Sequence, residues 1–214
     1  MFGTLSSAAF AGGYDSSWYK AKRWSGEYPD GVSVVKTGIN VKGRTSLSKE
    51  LKPTVNCDLP YRAVFQPWNA RRAQISHVSF YTLSKIQTLV AKEDFDFVAD
   101  YQTGKKLAIQ KGQAIEFLMY DQEGFFLVRI NGEEYSADTS LFTHIEGYTG
   151  ETFSIAQDSD EWLRLTCKNG NRAWLLVEEL KSVRGIVMDG NIKDYGTSRD
   201  LTAREAEDLA KQSP

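Results

Sequence analysis

Apolar and polar residues alternate with a period of two along much of this chain, and turn-forming residues interrupt the pattern at short intervals. Such alternation puts successive side chains on opposite faces of a strand, so it predicts half-buried β-structure. The pattern is clearest beyond Phe95. Phe95, Phe97 and Ala99 alternate with polar residues, and Lys106–Gly112 and Ala114–Leu118 follow. After a turn over Asp121–Gly124 comes Phe125–Ile130. Asn131-Gly132 is a two-residue hairpin signal, since both positions accept positive φ, and Glu134–Ala137 is the returning strand. A second round has strands at Glu151–Ile155, Glu161–Cys167 and Arg172–Leu176, with turns at Asp158–Asp160 and Lys168–Asn171. Phe126–Gly132 and Trp162–Gly170 share one order of aromatic, alternating strand and Asn-Gly turn, which reads as an internal duplication.

Upstream the signals are shorter. Pro29-Asp30-Gly31 is a turn, after which Val32, Val34 and Val35 and then Ile39–Val41 predict two strands. Leu47–Pro53 reads as a loop, and Val55–Phe65 as a strand interrupted by Pro60. Leu83, Ile86, Leu89 and Val90 have helix-like spacing and predict one amphipathic helix within residues 78–90. Thr202-Ala203-Arg204-Glu205 is a capping box that opens a helix through about Lys211. The expected fold is therefore mainly β with one or two short helices. Its divisions are an irregular arm over 1–30, a basic β-rich region over 31–92, small barrels over 93–143 and 144–182, and a polar tail with a helix over 183–214.

Charge and cysteines narrow the setting. Residues 1–90 carry 12 lysines and arginines against 5 acidic residues, whereas residues 91–214 carry 14 against 23. The two signs suit either mutual docking or an anionic partner for the basic part, whether cell-surface polymer, lipid head group or nucleic acid. Trp18, Lys20, Lys22, Arg23 and Trp24 interleave rings and cations. Rings so placed either pack on a neighbouring domain or stack on sugars and bases. Cys57 and Cys167 lie in no metal-ligand spacing. They are either two buried thiols or one bridge, and a bridge requires an oxidising compartment. Ser6–Ala11 ends in Ala-Phe-Ala, a small-x-small pattern that precedes signal-peptidase cuts and would leave Gly12 first. Export to a bacterial periplasm or surface is the expectation, with the cytoplasm as the alternative. No apolar run approaches the roughly 18 residues of a membrane span, so no transmembrane segment is expected.

Residues 93–142 resemble the SH3 fold through Phe97–Tyr101, Leu107–Gln113 and the strand reaching Asn131-Gly132. Residues 147–181 look like the bacterial SH3 variety through Glu161–Leu165, Asn169-Gly170 and Ala173–Leu175. The resemblance implies tandem SH3-like barrels acting as binding modules, with cell-wall peptides or glycans, or a protein partner, as ligands. SH3 domains that read proline helices use an aromatic shelf. Tyr101 falls on one shelf position and Phe125 or Phe126 on another, but Ala99, Asp138 and Leu141 fall where a tyrosine, a proline and a tyrosine should be. In the second barrel Trp162 and Trp174 would flank a groove beside Asp160 and Glu161.

An enzyme is not expected. No GxSxG, HExxH, P-loop or GxGxxG is present. A thiol hydrolase built on Cys57 and His77 is the remaining candidate, and the extended Asp58-Leu59-Pro60 argues against a nucleophile at a helix start. Zinc would need Cys57, Cys167, His77 and His144 to converge. No cofactor is expected. The alternative to a wall-binding module is a cytosolic scaffold whose basic arm contacts nucleic acid or anionic lipid.

Overall fold

The computed structural model describes residues 13–26, 31–67, 69–71, 78–100, 102–148, 158–189, 192–194 and 197–213. The expectations for Ser6–Ala11, Pro29-Asp30, His77, Tyr101 and Glu151–Ile155 lie outside these residues. The fold is mainly β. In chain order the first strands are β1 (Trp18–Ala21), β2 (Gly31–Val34), β3 (Asn40–Gly43), β4 (Val55–Asp58), β5 (Val64–Phe65), β6 (Asn69–Arg71), β7 (Ser79–Lys85) and β8 (Gln87–Val90). Next come β9 (Phe95–Asp100), β10 (Lys105–Ile109), β11 (Ala114–Gln122), β12 (Phe125–Ile130), β13 (Glu133–Ala137) and a 3-10 helix, Thr139–His144. β14 (Ser159–Thr166), β15 (Arg172–Leu176), helix α1 (Val177–Leu180), β16 (Ile186–Asp189), β17 (Ile192–Asp194), β18 (Thr197–Arg199) and helix α2 (Ala203–Ala210) complete the chain.

Two compact units share these elements. The first draws on the chain up to Trp18, on Asp30–Tyr81 and on Glu161–Pro214; the second comprises Tyr19–Pro29 and Thr82–Asp160. The divisions fall inside β1, β7 and β14.

The second unit follows the sequence expectation closely over β9 to β13. β8, β11, β12 and β13 form an antiparallel sheet in the order β13-β12-β11-β8, and β9 and β10 form a separate hairpin. Past the 3-10 helix the chain returns to β8: Ala91 bridges Ile145, and the Glu146 amide donates to the Val90 carbonyl at 2.9 Å. Alternation decides which side chains turn inward. Leu89, Phe97, Ile109, Ile115, Phe117, Val128 and Ile130 join Leu141, Phe142 and Ile145 in one buried cluster. Asn131 carries φ 54° and Gly132 φ 85°, the left-handed pair that a tight hairpin with native twist requires.

The helix expected within 78–90 is not formed; β7 and β8 occupy that segment. Every residue from Phe80 to Ser84 is buried, so β7 shows no polar alternation to betray it as a strand. The three-residue spacing of Leu83, Ile86 and Leu89 arises because Ile86 is the break between two strands.

In the first unit the segment after Val183 is no loose tail. β16 pairs antiparallel with β2, in the order β16-β2-β5, and α2 docks by Ala206. Val35, Val64, Val187, Leu201 and Ala206 form the cluster beneath it, with Tyr61 packed alongside. The capping box is present as expected, with the Thr202 hydroxyl accepting from the Glu205 amide at 3.2 Å and Glu205 accepting from the Thr202 amide at 2.8 Å. β3 and β4 pair as a hairpin, and β14 and β15 as another. The hydrogen-bonded sheets are open, of two to four strands, where closed tandem barrels were expected.

Candidate ligand-binding groove

The hairpin β14–β15 presents two faces with opposite fates. Leu163 lies across from Leu175 and Leu165 across from Ala173, and all four are buried. On the other face Trp162 opposes Leu176, Arg164 opposes Trp174, and Thr166 opposes Arg172. This face grades along its length from dry to wet. Trp162 is wholly buried, Trp174 and Thr166 are half-buried, and Arg164 and Arg172 are exposed.

Two partners from distant parts of the first unit build the dry end. The Trp162 indole Nε1 donates to the Tyr14 hydroxyl at 2.9 Å, and Tyr14 meets the indole edge-on at 6.3 Å. The Arg44 guanidinium lies 5.4 Å from the Trp162 ring centroid. That guanidinium is itself locked. Its Nε donates to the Leu51 carbonyl at 2.8 Å, and Nη1 and Nη2 donate to the Glu179 carboxylate at 2.7 and 2.6 Å. The hydrogen bond to Glu179 raises its already high pKa further. Backbone bonds in both directions between Arg44 and Trp174, at 2.8 and 2.9 Å, fix the free edge of β15.

At the wet end Val78, Ser79, Arg164, Leu165, Thr166 and Arg172 line an open concavity of about 400 Å³. Trp174 adjoins it through Arg164, whose guanidinium lies 5.5 Å from the indole centroid, and the Tyr81 ring is 4.9 Å from Trp174. Neither Arg164 nor Arg172 makes an ion pair among the described residues. A planar guanidinium offers a fork of donors that matches a carboxylate or phosphate, and two such forks beside a half-covered indole suit an anion that also carries apolar surface.

The residues expected to form a site are dispersed. Trp162 belongs to the core and cannot flank a groove, because it has no exposed surface. Trp174 is half-buried and carries the Arg164 guanidinium over its ring. Asp160 is buried and Glu161 half-buried, so the pair is not an open acidic rim. Tyr101 lies outside the described residues. Phe126 packs on Phe142 at 4.9 Å, on Phe117 at 5.5 Å and on Tyr120 at 5.5 Å, against the buried cluster; both Phe125 and Phe126 are half-buried. Asp138 caps the 3-10 helix through the Ser140 amide at 2.8 Å, and Leu141 is buried beneath it. Neither can serve an aromatic shelf.

Cys57 and Cys167 are bridged, with Cα atoms 5.2 Å apart across 110 residues. Both are buried. Bridged in this way, neither sulfur is free to serve as the thiolate that a Cys57 nucleophile or a zinc site requires. Among the described residues no cluster of potential metal ligands occurs. The interleaved arm is consumed internally in part, for Trp24 is buried and Arg23 pairs with Asp121 at 2.7 Å. Ser79, Arg164 and Arg172 escaped the sequence reading. The available signal was Arg164 at an outward position between the inward Leu163 and Leu165. No family model, curated protein or solved structure matches the chain.

Proposed function

We propose that this protein is an extracytoplasmic binding module whose groove on β14–β15 takes carboxylate-bearing peptides of the bacterial cell wall. One observation carries the reading: Arg164 and Arg172 project from the same face as Trp174 into one concavity, with no carboxylate of the described residues paired to either. The bridged cysteines support a chain that matures in an oxidising compartment. The same bond disfavours the cytosolic scaffold. The SH3-like reading of the second unit is part of the proposal, supported by the strand order β13-β12-β11-β8, the separate β9–β10 hairpin and the 3-10 helix before the return to β8. The module has no catalytic role in this reading: affinity comes from ion pairing and from apolar contact with Trp174.

Cosedimentation with purified bacterial wall is the test. The full chain is expected to pellet with wall, and the Arg164→Ala/Arg172→Ala double variant to lose at least about tenfold in affinity, because each lost charge-assisted hydrogen bond is worth about 1.5–3 kcal/mol. A wild-type chain that stays in the supernatant, or a double variant that binds as well as wild type, sinks the proposal.

A further inference from the structure

A second concavity in the first unit lies on the flanks of the disulfide. Cys57 lies in β4 beside its last residue, Asp58, and Cys167 follows β14 next to Lys168. The Lys168 amide donates to the Asp58 carbonyl at 2.9 Å, and the Asn169 and Asn171 side-chain amides both donate to the Asn56 carbonyl, at 3.1 and 2.8 Å. On the other side the Leu59 amide donates to the Ile39 carbonyl at 2.9 Å. These bonds and the bridge hold three separate stretches of chain as walls of an open space of about 390 Å³. Its lining includes Thr37, Ile39, Asp58, Tyr61, Lys168 and Asn169.

The chemistry differs from that of the cationic groove. Asp58 and Lys168 bring opposite charges, so the lining has no strong preference for an anion. One Asp58 oxygen is taken by the Asn40 amide at 2.6 Å. Thr37, Tyr61 and Lys168 also line the space, and their hydroxyl and ammonium groups make no hydrogen bond to the described chain. Tyr61 is half-buried; it packs against the cluster of Val35, Val64, Val187, Leu201 and Ala206, which restrains the ring while leaving part of it open. A restrained aromatic ring, an apolar Ile39, and hydroxyl, amide, carboxylate and ammonium groups at close quarters suit a ligand with an apolar face and a rim of hydroxyls. The volume is at the lower end of that of small-ligand sites.

We infer that this disulfide-framed concavity is a second binding site, and that it takes a short neutral saccharide. It stands independently of the cationic groove, which selects charge. The experiment is amide-shift titration of the full, isotope-labelled chain with chitotetraose, cellotetraose and maltotetraose. At least one of them is expected to shift the amides of residues 37–39, Asp58, Leu59, Tyr61 and residues 168–169. Tyr61→Ala is expected to weaken that binding at least about fivefold, as loss of a stacked ring of about 1–3 kcal/mol implies. Asn169→Ala and Tyr61→Phe, which leave the ring's packing in place, should weaken it a few-fold. Arg164→Ala/Arg172→Ala should leave it unchanged, which separates failure here from failure of the peptide-binding proposal. The inference is overturned if no saccharide shifts these amides at about 10 mM, weaker than which a site of this size has no useful affinity, or if Tyr61→Phe and Asn169→Ala both bind as wild type.

Discussion

Gly43 has no room for a side chain. A Cβ there would come within 2.7 Å of the Ala173 Cβ and 2.8 Å of Leu175 Cδ2, with the Trp174 carbonyl oxygen at 3.1 Å. All three contacts belong to β15, which Arg44 bridges at Trp174, so relief would require that edge to move. Gly43→Ala is expected to cost about 1–3 kcal/mol in urea unfolding; an unchanged midpoint would show that the approach of β3 to β15 is not tight. Arg44, the next residue, is the other fixed point. Glu179 is partly exposed, so truncation leaves one charge that can rehydrate, yet the Leu51 carbonyl loses its donor and the Trp162 ring its cover. Arg44→Ala should cost about 2 kcal/mol, toward the lower end for a broken buried pair. Arg44→Lys should recover little, since an ammonium cannot reproduce the fork. Tyr19 offers a pH readout in the second unit. Burial first, and then its hydrogen bond to Glu134, raise its phenol above the ordinary 10.0. The protonated phenol is the form the fold favours, so its contribution is complete below that ordinary value and is lost as pH climbs through the raised one. Wild type should therefore lose stability more steeply above about pH 10 than Tyr19→Phe does; parallel alkaline curves would contradict the assignment.

Among the elements, hairpins were legible in the sequence and their neighbours were not. Asn131-Gly132 and the alternation on either side of it specify β12 and β13 locally, with no help from distant residues. β7 is different. Its residues Phe80–Ser84 are covered on both faces, so the polar half of the alternation is missing and three apolar residues at intervals of three suggested a helix instead. The two tryptophans of the β14–β15 hairpin make the same point at the site. Trp162 and Trp174 share one face, and nothing local distinguishes them. Tyr14 and Arg44 seal one of them, and both come from far away in the chain. Arg164 and Arg172 then define the site because their end of the hairpin has no such cover. The β4 and β14 ends are also joined covalently, across a loop of 110 residues. Removing the bridge by Cys57→Ala/Cys167→Ala should cost roughly 2–5 kcal/mol, mostly by freeing the unfolded chain. A double variant as stable as wild type would show that the hydrogen bonds of Asn169 and Asn171 to Asn56 suffice alone.

For the whole molecule, charge halves and compact units do not coincide. The sign of the charge changes near residue 90, yet the first unit gathers chain from both sides of that point. The asymmetry therefore marks no simple boundary between a basic body and an acidic one. Duplication in sequence likewise placed two similar hairpins in tandem, whereas β12–β13 falls in the second unit and β14–β15 in the first. Pairing partners such as β2 for β16 are separated by most of the chain, and no local pattern announces them. What function the molecule has at this scale follows in the proposal from one exposed end of one hairpin.

Calorimetric titration of the full chain with the soluble, carboxylate-bearing peptides released from purified wall tests that proposal most directly. The account predicts binding that weakens as salt rises, because two cationic forks carry it, and that Arg164→Ala/Arg172→Ala reduces at least about tenfold while the unfolding midpoint stays put. Heats indistinguishable from dilution, or equal affinity in wild type and the double variant, would contradict it.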